Sequence, residues 1–67
     1  MNNKQNKLRE YREKKGLTQK QVATYLGFKS TARISKWEKG TQYPHVTNFI
    51  QLLSLYGITA FDIYRTE

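Results

Sequence analysis

Lys29, Arg33, Lys36 and Lys39 crowd into one short stretch of this chain, interleaved with the hydroxyls of Ser30, Thr31 and Ser35. Such a set donates hydrogen bonds and carries positive charge; its natural target is a polyanion. The groups that make and break covalent bonds are missing. There is no cysteine, the single histidine (His45) follows Pro44, and the five acids are scattered. A lone histidine beside a proline makes neither a metal site nor a triad. No nucleophile–base pair and no glycine loop able to cradle phosphates is visible. The sequence therefore predicts no enzyme, no metal site and no cofactor.

Charge points the same way. Twelve lysines and arginines against five acids leave a formal charge of +7 in 67 residues. The partner this implies is nucleic acid or an anionic membrane surface, although a ribosome-like or merely basic protein has the same balance. The opening MNNKQNK is polar and basic with no apolar run behind it, so no signal peptide is expected. No segment approaches the roughly 20 apolar residues needed to span a bilayer. The longest apolar stretch, residues 49–56, is interrupted by Gln51 and Ser54 and reads as a core helix. A chain of this size is one domain, residues 1–67, with a thin core. Without cysteines that core must come from well-packed helices or from a partner subunit, and a reducing cytoplasm is compatible.

These donors must be held by short helices. Residues 1–4 read as a flexible arm. A first helix runs from Lys4 or Gln5, with Leu8 and Tyr11 on one stripe and Arg12 and Lys15 continuing it, and stops at Gly16 after Lys14 and Lys15. Thr18 reads as an N-cap for a second helix over about 19–26, with Val22, Ala23 and Leu26 inward and Gly27 as its stop. Ser30 or Thr31 caps a third helix over about 31–39, with Ile34 and Trp37 inward and Gly40 closing it. A fourth starts past Pro44 with an apolar stripe of Val46, Phe49, Ile50, Leu53 and Tyr56, widened by Leu52 and Leu55, and stops at Gly57. Thr59 and Asp62 have the spacing of a capping box for a last helix near 60–64, which places Phe61 and Ile63 or Tyr64 against the fourth. No strand signal exceeds three residues.

Two short helices joined by a tight glycine-containing link form the outline of a helix-turn-helix, and any two short helices fit that outline. The residues are more specific: Gly16-Leu17-Thr18-Gln19, Val22-Ala23, Leu26-Gly27, Ile34-Ser35, Trp37-Glu38-Lys39-Gly40 and Pro44. In order and spacing they resemble the phage repressor and Cro-type helix-turn-helix family of bacterial and phage regulators, from about Lys7 to Tyr64. The resemblance implies an all-α, compact five-helix domain with helix 3 in the major groove of double-stranded DNA. It implies a cytoplasmic transcription regulator, repressor by default in so short a chain, binding a near-palindromic operator as a homodimer. The dimer surface is expected in the helix 4–5 region and C-terminus, around Phe61 and Tyr64, and no small-molecule effector is expected. The alternative on the same fold is a protein-interaction module such as an antitoxin or antirepressor partner; non-specific RNA binding is a third. In one place the chain departs from the family: between Gly27 and Ile34 it is one residue longer than the usual link, with the extra residue near Phe28–Lys29.

Faces follow from about 100° of rotation per residue. With Ile34 and Trp37 buried, Ala32, Lys36 and Lys39 point away from the core, Ser35 and Arg33 lie on the two flanks, and Thr31 stands at the N-terminal end. Thr31, Ala32, Arg33, Ser35 and Lys36 are the expected base readers, since Lys and Arg donate to guanine O6 and N7, hydroxyls pair with several edges, and the alanine methyl meets the thymine methyl. Gln19 opens helix 2, where its backbone N–H and amide can meet a phosphate; in the family that position often clamps the DNA backbone. Lys29, Ser30, Lys39, Thr41, Gln42 and Tyr43 complete the expected phosphate set. Trp37 is read as core, not as a stacking platform for bases. By the resemblance, Glu38 pairs with Arg12 as a structural tie between helices 1 and 3.

Overall fold

The computed structural model describes residues 7–64, with the side chain of Tyr64 excepted. The expected arm at residues 1–4 lies outside the described residues, as does the Tyr64 side chain proposed for the dimer surface. Among the described residues five helices and no strand are found: α1 (Leu8–Lys14), α2 (Gln19–Leu26), α3 (Ala32–Lys39), α4 (Val46–Tyr56) and α5 (Ala60–Tyr64). No helix among them is long and apolar enough to cross a membrane.

Local chemistry sets the ends of the two helices that matter most. Thr18 Oγ1 accepts from the Gln21 N–H at 3.0 Å, and Gln21 Oε1 accepts from the Thr18 N–H at 2.8 Å. This reciprocal capping box satisfies two donors that the start of α2 would otherwise leave open. At the other end Gly27 takes φ +84°, a left-handed conformation that a side chain resists. The turn it makes lets the Phe28 N–H donate back to the Ala23 carbonyl at 2.8 Å. For α3, Thr31 is the N-cap residue but its side chain caps nothing; Ser30 Oγ instead accepts from the Ala32 N–H at 3.3 Å.

The core is assembled from every helix: Leu8, Val22, Ala23, Ile34, Trp37, Leu52, Tyr56 and Ile63 are buried. Each large aliphatic side chain among them contributes about 1.5–3 kcal/mol by leaving water. Two sequence expectations need correction. In α4 the inward side is Leu52 and Tyr56, flanked by half-buried Phe49, Leu53 and Leu55, while Val46 and Ile50 stand 66% and 58% exposed. The apolar stripe is wider than the surface available to cover it, and a helical turn of about 100° per residue carries Ile50 roughly 160° round from Leu52. In α5 only Ile63 is buried; Phe61, two residues earlier and hence on nearly the opposite side, is 70% exposed.

Candidate nucleic-acid interface

The α2–α3 unit is braced from behind by a buried ion pair. Arg12 Nε donates to Glu38 Oε2 at 2.6 Å and Arg12 Nη2 to Glu38 Oε1 at 3.2 Å, the bidentate geometry that guanidinium and carboxylate favour. Arg12 Nη1 also donates to the Leu17 carbonyl at 2.8 Å. The hydrogen bond that Arg12 donates to Glu38 raises the Arg12 pKa above its already high ordinary value, against the opposing effect of burial. Tyr56 is buried in the same region, and loss of water raises its hydroxyl pKa, so it stays protonated. No buried side-chain nitrogen or oxygen among the described residues lacks a hydrogen-bond partner. Helices α1 and α3 are thereby tied by a buried pair.

The same carboxylate reaches α2. Gln19 Nε2 donates to Glu38 Oε1 at 3.0 Å. The amide of Gln19, read from sequence as a free phosphate donor, is thus anchored inward, and its remaining N–H and its position at the start of α2 are what it offers outward. Sequence reasoning had no means to pair residues 19 and 38, because the contact exists only once α2 and α3 have packed.

On α3 the buried residues are Ile34, Trp37 and Glu38, and the exposed ones are Ala32, Arg33, Lys36 and Lys39; Thr31 and Ser35 are half-buried at its edges. The chain after Gly40, whose φ is +81°, folds back over the end of α3. Lys36 carbonyl accepts from the Thr41 N–H at 3.0 Å and from the Thr41 hydroxyl at 3.2 Å. That hydroxyl is therefore occupied within the fold and must rotate before it can meet a phosphate. Gln42 and Tyr43 are exposed and, with Arg33, Trp37, His45 and Asn48, line a shallow concavity of about 380 Å³ beside α3. His45 and Asn48 were not among the residues singled out from sequence; nothing in their spacing connects them to α3.

Lys29 and Ser30 are exposed in the link 27–31. Phe28, in the same link, is half-buried with its ring edge-on to Trp37, at 5.8 Å between centroids and 69° between planes. Arg33 lies over that ring, its guanidinium carbon 4.8 Å from the centroid. The link after α2 spans residues 27–31, and α3 starts at Ala32.

Electrostatics sharpen the picture. Between Glu13 and Asp62 the only acid in the sequence is Glu38, and it is buried against Arg12. By contrast the cations of α1 have acids beside them: Arg9 meets Glu13 at 3.0 Å and Lys14 meets Glu10 at 3.7 Å. The link and α3 therefore expose Lys29, Arg33, Lys36 and Lys39 and no carboxylate of their own, a set of charges that attracts a polyanion.

A family model described as helix-turn-helix matches residues 8–63. No curated protein and no solved structure matches the chain.

Proposed function

Because the chain belongs to the Cro/C1-type helix-turn-helix family of DNA-binding transcription regulators, we propose that it represses transcription by inserting α3 into the major groove of a near-palindromic operator. The observation that carries this reading is the division of α3 into a buried side, which holds its one carboxylate, and an exposed cationic side. Thr31, Ala32, Ser35 and Lys36 act as base readers, and Gln19, Lys29, Ser30, Lys39, Thr41, Gln42 and Tyr43 hold the phosphates that set the register. Arg33 stands apart from the readers because its guanidinium lies over Phe28. No catalysis is part of this function.

A second copy of the chain supplies the other half-site, about one helical turn or ~34 Å away. Phe61 on α5 and the exposed pair Val46 and Ile50, one turn apart on α4, are the apolar surface that supports a homodimer. The alternative, a protein-interaction module, calls for an apolar patch where Arg33 and Lys36 stand exposed, so the cationic face favours DNA.

Lys36→Ala tests the assignment of α3. Lys36 has its side chain exposed at the middle of the outward face, so folding should be unaffected. Binding to the preferred duplex should weaken by about 1–3 kcal/mol, with relaxed selectivity at one base pair. Titration against the preferred and a random duplex gives the answer: an equal loss on both would make Lys36 a phosphate contact and remove it from the readers.

A further inference from the structure

Phe28 is fixed twice before it meets Arg33. Its backbone N–H is held by the Ala23 carbonyl through the turn at Gly27, and its ring makes a T-shaped contact with buried Trp37. The Arg33 guanidinium lies 4.8 Å over the ring, a cation–π contact to a side chain packed on the core. A guanidinium lying on an aromatic face keeps its N–H edges free while losing much of its rotational freedom. The contact brings the exposed Arg33 side chain against the link. There it shares a concavity of about 320 Å³ with Gly27, Phe28, Lys29 and Ser30. Ser30 Oγ already accepts from the Ala32 N–H, which leaves its O–H as a donor. Glycine at 27 adds no side chain to the rim.

The geometry points to a phosphate cradle formed by Arg33, Lys29 and Ser30, with Phe28 as the residue that positions Arg33 in it. Arg33 is then a backbone clamp and not a base reader. The inference rests on DNA binding as proposed above. It assigns to the link a role in placing α3 in the groove: the clamp grips the strand beside the helix's N-terminal end, where Thr31 and Ala32 must meet base edges.

The ligand chemistry is a paired acceptor, offered in DNA by phosphate oxygens or by guanine O6 and N7. Salt dependence separates the two. Affinities of the full chain, of Arg33→Ala, Phe28→Leu, Phe28→Tyr and Phe28→Leu/Arg33→Ala are measured over a range of salt. The probes are a random-sequence duplex and the duplex the wild type prefers, and the melting temperature of each variant is recorded. Arg33→Ala is expected to weaken both duplexes alike, by about tenfold, and to lower the salt slope by about 0.9. Phe28→Leu, which keeps apolar bulk and removes the ring, reproduces most of that loss, and adding it to Arg33→Ala costs nothing more. Phe28→Tyr retains the ring and binds as the wild type does. Three results overturn the proposal: a loss confined to the preferred duplex with the slope unchanged, additive losses in the double variant, or a Phe28→Tyr variant that melts as the wild type does yet binds as weakly as Phe28→Leu. A wild type without any preferred duplex would instead count against operator recognition, and the random duplex would still report on the cradle.

Discussion

Replacing Glu38 with alanine is expected to destabilise the chain by about 3–5 kcal/mol. A domain of this length has roughly 3–10 kcal/mol in total, so much of the variant should be unfolded at 25 °C. The carboxylate is 7% exposed and receives three hydrogen bonds, two from Arg12 and one from Gln19. Removing it leaves the guanidinium of Arg12, a residue 8% exposed in the intact fold, with its hydrogen bond to the Leu17 carbonyl in the link between α1 and α2, a charge stranded in low dielectric. The physical cause is desolvation, not loss of attraction as such, and this has a checkable corollary. Arg12→Met combined with Glu38→Leu removes both charges together and should lie far closer to the wild type than either single change. Urea unfolding followed by the emission of Trp37, the sole tryptophan, measures all of these variants. A Glu38→Ala midpoint close to that of the wild type would show that the pair contributes little to the fold.

Trp37→Ala should be as damaging, at about 3–5 kcal/mol, for a different reason. The indole is 3% exposed and sits in the cluster with Ile34, Val22 and Leu52, so its removal opens a cavity where α3 meets the core. It also withdraws the edge contact that steadies Phe28, so the stack under Arg33 should loosen as well. Trp37→Phe retains an aromatic contact with part of the volume and should recover a large fraction of the stability. Thermal melts by far-ultraviolet circular dichroism provide the comparison. An alanine variant that melts with the wild type would place Trp37 outside the packing that holds α3.

Much of this fold is legible in single residues. Thr18 and Gly27 bracket α2 because a hydroxyl satisfies the first turn and a glycine accepts the left-handed conformation that ends the last. Ile34 and Trp37, three residues apart, mark the buried edge of α3, and from that edge the outward positions follow by rotation alone. What the sequence withholds depends on tertiary packing. Val46 and Ile50 look like core because periodicity reports which residues are apolar and not how much surface exists to cover them. Ser30, not the adjacent Thr31, accepts from the start of α3, a choice set by the backbone of the link. The anchoring of Gln19 on Glu38 and the stacking of Arg33 on Phe28 join residues whose separations carry no helical period. An apolar residue directly after the glycine that ends a helix is a known signature of a fixed turn, and Phe28 was detectable on that ground; its platform role was not.

In the proposed function α3 reads sequence from an inverted pair of half-sites. Selection of bound duplexes from a random pool, using the full chain at physiological salt, addresses it most directly. An inverted repeat whose half-sites are centred about one helical turn, ~34 Å, apart should be enriched. Recovery of DNA with no enriched sequence, at an affinity governed by salt alone, would contradict it.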